Sequence, residues 1–169
     1  DVDSLSKATP GFAAYFSSWM RQQRSVWDAS KRTFDEKLIK ACLAILAVSA
    51  GPLRHDDLAA LVPGVIAGNT FVDADTLEPI QRFMVGDGAE HGYAFAHPKF
   101  GIYVREEYLQ LGPWIGAAEQ AFVAWGRRVV HEVNDGAREP ADVPLYLLNF
   151  YFLHLKQAHT TLDDWAALT

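Results

Sequence analysis

The segment from Leu77 to Tyr103 constrains the fold of this chain more than any other. It begins with a helical pattern that ends near Met84 and leads directly into two short apolar runs, at 83–86 and 93–96. The stretch 87–92 between these runs is rich in turn-forming residues, so the pattern predicts a β-hairpin. An isolated hairpin is barely stable in water, and helices packed against it are therefore required.

Two helices are predicted in front of this segment. Apolar residues at helical spacing predict one helix over 34–49 and a shorter one over 55–62, which Pro63-Gly64 ends. After the hairpin, Pro98 suits the first position of a further helix, with His97 as its cap. This helix is expected to run to about Leu111 and to bury that leucine. Three helices followed directly by a hairpin are typical of a winged helix.

Helical patterns also flank this unit on both sides. An aromatic helix is predicted over 11–27, an amphipathic helix over 114–133, and an apolar helix, buried between neighbours, over 144–159. A further helix is expected over 162–168. The predicted fold is mainly α with a small β-hairpin: a winged-helix domain followed by antiparallel helices that open a helical-repeat array.

Gly112-Pro113 is the clearest domain boundary in the sequence. We therefore predict a lead-in helix and joint over 1–33, a winged-helix domain over 34–112, and an incomplete, repeat-like helical domain over 113–169.

Composition restricts the location and the partners. The 169 residues include 15 basic and 21 acidic side chains, a net charge of −6, which is unfavourable for binding nucleic acid. The single cysteine, Cys42, cannot form an internal disulfide and lies in an apolar run, so we expect a buried thiol and a cytoplasmic location. No run reaches the ~18 apolar residues of a membrane span, and no membrane partner is expected.

The chain offers no set of residues that resembles a catalytic or metal site. A glycine-rich phosphate loop is missing from the sequence, and 131–135 begins like a zinc-protease motif but lacks the second histidine. His154 and His159 are five positions apart, which places them on different faces of a helix. We therefore expect the fragment to have no catalytic residue and no metal site.

A winged helix also invites a second interpretation, a DNA-binding transcriptional regulator with a helical sensor domain. Its third helix should then carry Arg, Lys, Asn or Gln toward the bases and phosphates. Around this helix the chain has Asp73, Asp75 and Glu78 against Arg82, with Gln81 as the one amide. This sign pattern disfavours contact with phosphate, so the DNA-binding interpretation stays the alternative.

Several segments together resemble the region that follows the nucleotide-binding domain in STAND-class signalling NTPases, the group that includes NACHT and apoptotic or plant-resistance ATPases. The most specific of them is the His-x-x-Phe-x-x-Tyr stretch formed by His97, Phe100 and Tyr103. The others are hydrophobic patterns at 11–19, 43–53, 57–61, 77–83 and 146–158.

In that family, the winged-helix histidine is the middle residue of a Met-His-Asp motif. It contacts the β-phosphate of ADP and locks the inactive form. The resemblance carries this role to His97, where Ala96 and Pro98 replace the flanking Met and Asp. His97 is thus the expected cofactor-binding residue, and only in the full-length parent.

The resemblance implies a regulatory and scaffold fragment of a signal-transduction ATPase. The fragment would couple the nucleotide state of an upstream NTPase domain to a downstream helical sensor, and both regions would be its partners. ADP or ATP with magnesium is expected in the parent, and no cofactor in the fragment. Activation would add a protein partner or self-oligomerisation, with no nucleic acid involved.

Overall fold

A computed structural model describes residues 10–29, 35–67, 72 and 74–158. This part of the protein is mainly helical with a small antiparallel hairpin, which confirms the predicted class. Its elements, in chain order, are α1 (Pro10–Ala29), α2 (Glu36–Val48), α3 (His55–Val65), a 3₁₀ helix (Ala74–Phe83), β1 (Met84–Val85), β2 (Ala94–Phe95), α4 (Pro98–Tyr103), a π-helical turn (Val104–Tyr108), α5 (Trp114–Asn134), a 3₁₀ turn (Pro140–Asp142) and α6 (Leu145–Gln157). The helix predicted over 162–168 lies outside the described residues.

Helix α2 lies at the centre of the molecule. Asp35 caps it, because its Oδ1 accepts hydrogen bonds from the backbone N–H groups of Lys37 and Leu38, each at 3.0 Å. Most of its side chains are buried against α3, α5 and the 3₁₀ helix. Cys42 is completely buried there, and desolvation raises the pKa of its thiol to about 12, so it behaves as a small apolar side chain.

The hairpin has a third contact that the sequence did not predict. β1 pairs with β2 in the register Met84 to Phe95, and next to β2 an antiparallel bridge joins Tyr93 to Leu53. Leu53 and Tyr93 exchange two backbone hydrogen bonds, at 3.0 and 2.7 Å. Because Leu53 lies between α2 and α3, the chain runs helix, bridge, helix, helix, hairpin, which is the winged-helix arrangement. A single bridging residue has no strand periodicity, so the sequence did not reveal it.

The third helix of the winged helix is a 3₁₀ helix over Ala74–Phe83. Pro79 lies inside it and has no backbone N–H to donate within the helix. A 3₁₀ helix places side chains three positions apart directly above one another. Leu77 and Ile80 therefore both point into the core, where each is almost completely buried.

The prediction that α3 ends at Pro63-Gly64 is wrong, because α3 continues to Val65. Leu61 and Val62 are buried, and the helix lies so close to α5 that a Cβ on Gly64 would be 2.8 Å from the Cβ of Ala121. Packing against α5 thus stabilises a last turn that local propensity disfavours.

The helix predicted from Pro98 to about Leu111 is shorter than expected. The α-helix ends at Tyr103 and widens into the π-helical turn, which the Leu109 N–H closes onto the Val104 carbonyl at 2.8 Å. The wider turn places Leu109 in the core, whereas Leu111 is 89% exposed. The prediction that Leu111 is buried is therefore wrong.

Helices α5 and α6 pack as an antiparallel pair. They approach closely at Gly126, where a Cβ would lie 2.1 Å from the ring of Tyr151. The expectation that α6 is buried on all sides is wrong for its outer face: Leu145, Leu148 and Phe152 are 56%, 64% and 51% exposed. One continuous cluster of buried side chains joins α1 through α6. The division into 1–33, 34–112 and 113–169 stays a prediction.

Candidate functional site

The structure places His97 at the N-cap position of α4, as the sequence predicted. Its Nδ1 accepts a hydrogen bond from the backbone N–H of Lys99 at 3.1 Å, and the side chain is exposed. Because Nδ1 acts as the acceptor, the proton of the neutral ring lies on Nε2. The histidine therefore caps its helix with one nitrogen and presents a donor on the other.

This donor fits one oxygen of a phosphate group. Capping and phosphate contact use opposite ring nitrogens, so the first does not prevent the second. The given sequence contains no glycine-rich phosphate loop.

The wing between β1 and β2 is held by short-range hydrogen bonds. Asp87 Oδ1 accepts from the N–H groups of Ala89 and His91 at 2.9 and 2.8 Å, and these bonds lower the pKa of the Asp87 carboxyl. The His55 N–H donates to the Gly88 carbonyl at 2.8 Å, which ties the wing to the start of α3. With Glu90 also exposed, the wing presents an ordered, acidic tip.

The exposed side of the 3₁₀ helix carries Glu78, Gln81 and Arg82. The Arg82 guanidinium lies 4.2 Å from the ring centre of Trp19 and 5.2 Å from that of Tyr15, both on α1. At these distances the cation is attracted to the aromatic faces. The one basic side chain of the third helix is therefore engaged by the protein's own α1.

Helix α1 is anchored on the winged helix by an aromatic side chain. Phe16 is completely buried, and its ring lies between 5.0 and 5.8 Å from four others in edge-to-face geometry: Phe83, Phe100, Tyr103 and Tyr108. Trp19 Nε1 also donates a hydrogen bond to the Pro79 carbonyl at 2.8 Å. α1 thus covers one flank of the third helix.

A groove of about 530 Å³ lies between the wing and α6, and no residue of α1 lines it. Its floor and walls are largely apolar, and the polar side chains along it are Arg54, Asp57, Glu90, His91 and Asn149. Val85 and Leu145 line it while being more than half exposed, so its apolar surface is open to solvent.

Asp57 is the buried acid of this groove. It is only 6% exposed, and its Oδ2 accepts a hydrogen bond from the Arg54 N–H at 2.8 Å, which caps the start of α3. Desolvation raises the pKa of the Asp57 carboxyl, while that hydrogen bond acts in the opposite direction. Asp57 thus caps the start of α3 and also places a negative charge beside the groove.

Below the groove, a hydrogen-bonded pair fastens α6 to the end of α2. The Ala50 N–H donates to Tyr146 Oη at 2.9 Å, and the hydroxyl lies 2.8 Å from His154 Nε2. The His154 ring stacks on Phe122 at 4.1 Å, and its burial lowers the imidazole pKa to about 4. His154 is therefore a neutral core residue whose Nε2 lies within hydrogen-bond distance of the Tyr146 hydroxyl.

Among the described residues, no group of three or more His, Cys, Asp or Glu side chains is arranged to hold a metal ion. His131 pairs with Asp135 at 3.3 Å on the exposed surface of α5, so this part of the rejected zinc motif forms an ordinary i,i+4 contact. Within the same described ranges, no helix is both long and apolar enough to cross a membrane.

Comparisons of the chain with protein-family models, with curated proteins and with solved structures found no match. A function must therefore be argued from the geometry. Apart from His97, the features that distinguish the surface are the α1 cover and the groove beside Asp57. The sequence reveals neither, because both join residues that are distant in the chain.

Proposed function

We propose that the chain is a regulatory and scaffold module of a STAND-type signal-transduction ATPase. In this role it couples the nucleotide state of an upstream NTPase domain to a downstream helical sensor. The module itself performs no catalysis and works in the cytoplasm. It acts through contacts with other protein domains of the same chain, and on activation with a protein partner or a further copy.

The engagement of Arg82 by α1 is the observation that carries this proposal. A DNA-binding winged helix inserts its third helix into the major groove. In this chain that helix presents Glu78 and Gln81, its single arginine stacks on Trp19, and the nearby wing tip is acidic. This arrangement supports a protein-facing role over a DNA-facing one.

In the parent protein, His97 would report the nucleotide state. ADP bound to the upstream domain, with magnesium, would accept the Nε2 hydrogen bond through a phosphate oxygen and hold the winged helix in place. Loss of that acceptor position on exchange for ATP would release the module. A ligand shifts such an equilibrium only by its difference in affinity for the two states, and the His97 contact would supply part of that difference.

The test is His97→Ala in the intact parent protein. We expect faster ADP release or raised basal signalling, because the variant loses the Nε2 donor. His97→Asn, whose side-chain oxygen can still accept the Lys99 N–H, separates this loss from the loss of the helix cap and should have the same effect. His131→Ala, at an exposed histidine of α5 that does not line the groove, is the matched control and should behave as wild type. Unchanged ADP occupancy together with unchanged basal activity in His97→Ala would refute the sensing role.

The alternative, a winged-helix transcriptional regulator with a helical sensor, is supported by the order of the elements. It predicts DNA binding that weakens steeply as salt is raised, because each phosphate contact releases counterions. The proposed function predicts the absence of such binding.

A further inference from the structure

We infer that the groove between the wing and α6 docks a protein segment that carries a Lys or Arg beside an apolar side chain, with Asp57 as the counter-ion. This inference rests on the proposed function, because it names where a neighbouring domain contacts the module. Three observations support it: the shape of the groove, its charge and the position of the buried acid.

The groove has the size and lining of a recognition site. Its volume of about 530 Å³ falls inside the ~300–1,000 Å³ range of ligand sites, and its lining is mostly apolar with few polar groups. The groove is open to solvent, and its lining residues Val85 and Leu145 are each more than half exposed. An extended or helical segment fits such an open groove better than an enclosed small molecule.

The charged side chains that line the groove favour a cationic segment. Asp57 and Glu90 are the acids of the groove, and Arg54 is the one Lys or Arg among the residues that line it. The Arg54 side chain is exposed, and its charge acts on Asp57. His91 lies 3.5 Å from Asp87 at the wing tip, which directs its ring toward a carboxylate outside the groove. The acids outnumber Arg54, so an anionic segment is repelled and a cationic one is favoured.

Asp57 provides the specific contact. Its carboxyl is largely removed from water, and only Oδ2 is used by the cap of α3, which leaves Oδ1 as a further acceptor. A charge-assisted hydrogen bond is stronger in such surroundings than at the surface. Asn149, exposed on the α6 wall, can bond to the backbone of the docked segment.

The test is an NMR titration of the isotope-labelled protein with three blocked tripeptides. They share phenylalanine and leucine at the ends and carry lysine, glutamine or glutamate in the middle. We expect the lysine peptide to shift the amide signals of Gly86, Gly92 and Asn149, which line the groove. We also expect it to bind about fivefold more tightly than the glutamine peptide, and the glutamate peptide to bind most weakly.

Asp57→Asn separates charge from structure, because the amide oxygen can still accept the Arg54 hydrogen bond. In this variant the lysine and glutamine peptides should bind equally. Asn149→Lys, at an exposed site that tolerates the change, should favour the glutamate peptide. Glu119→Gln, on the exposed side of α5, is the control and should leave the order unchanged.

The inference is overturned if no peptide shifts the groove signals, if the peptides bind equally to the wild type, or if the preference survives in Asp57→Asn. Free phenethylamine that binds as tightly as the lysine peptide would also overturn it, in favour of a small amine. His97 does not line the groove. Failure of the His97→Ala test with a lysine-selective groove would therefore refute the proposed function alone.

Discussion

The two sides of the winged helix differ in what covers them. On the side of the third helix, α1 fills an aromatic pocket with Phe16 and engages Arg82 through Trp19. On the side of the wing, the surface between Val85 and Leu145 is an open groove. The third helix, which a DNA-binding winged helix would insert into the groove of DNA, is thus partly covered by the protein's own α1, whereas the groove beside the wing is open.

The contacts on the two sides also differ in kind. On the α1 side, the contacts are the completely buried ring of Phe16 and the Arg82 guanidinium stacked on Trp19 and Tyr15. On the groove side, α6 is held to α5 and α2 by close backbone approach at Gly126 and by the Tyr146–His154 hydrogen bond. Mutations can therefore test the two sides separately.

Phe16→Ala is expected to have the largest effect, because it removes the ring that anchors α1. Loss of a fully buried phenylalanine should lower the free energy of unfolding by about 3–4 kcal/mol, measured by urea denaturation. Val26→Ala, at a half-exposed position of the same helix, should cost less than about 0.5 kcal/mol. Equal, small costs for the two variants would show that α1 does not depend on the Phe16 pocket.

Gly126→Ala tests the other side. The added methyl group would overlap the buried Tyr151 ring, so the protein should lose about 2–3 kcal/mol of stability. Gly116→Ala, in the same helix with no atom near the new methyl group, should instead gain about 0.5–1 kcal/mol. A stabilised Gly126→Ala protein would contradict the described packing of α5 on α6.

Acid should weaken the attachment of α6 through His154. Its folded-state pKa is about 4, below the usual 6.5, so between these values the unfolded chain binds a proton that the folded chain does not. The contribution of neutral His154 to the free energy of unfolding is therefore fully present above about pH 6.5. This contribution falls by on the order of 2 kcal/mol as the pH is lowered toward 4.

His154→Phe is the variant that isolates this effect. It keeps an aromatic ring against Phe122 but cannot titrate, and groups such as Asp57 titrate in both proteins. The difference in the pH slope of stability between the two proteins is therefore due to His154. Identical slopes between pH 6.5 and 4 would contradict the buried, neutral histidine.

Arg82→Met should have the smallest effect. It keeps an apolar stem against Trp19 but removes the cation, and an exposed cation–π contact contributes about 0.5–1 kcal/mol. Arg105→Met, whose arginine lies beside Glu106 on an exposed turn, should change stability by less than this. If the two variants are equal in thermal or urea denaturation, the stacking of Arg82 does not stabilise α1.

The sequence predicted the elements whose pattern is local. The apolar spacing of α2 and α5, and the turn residues between β1 and β2, placed these elements within a few residues of their observed bounds. The capping position of His97 followed from Pro98 in the same way.

Features that depend on tertiary packing were not predictable. The extension of α3 through Pro63 depends on contact with α5, and the bridge at Leu53 is visible only once Tyr93 lies opposite it. The groove brings Asp57 next to Asn149, which lies 92 positions later in the chain. No periodicity or spacing rule connects such residues.

Fluorescence anisotropy of a labelled DNA duplex, titrated with the protein between about 50 and 200 mM salt, tests the central claim most directly. We propose that the α1 cover and the acidic wing tip direct this winged helix toward protein partners rather than DNA. In that case the anisotropy stays at its starting value at every salt concentration. A saturable rise that weakens steeply with salt, and that Arg82→Met diminishes, would contradict the account.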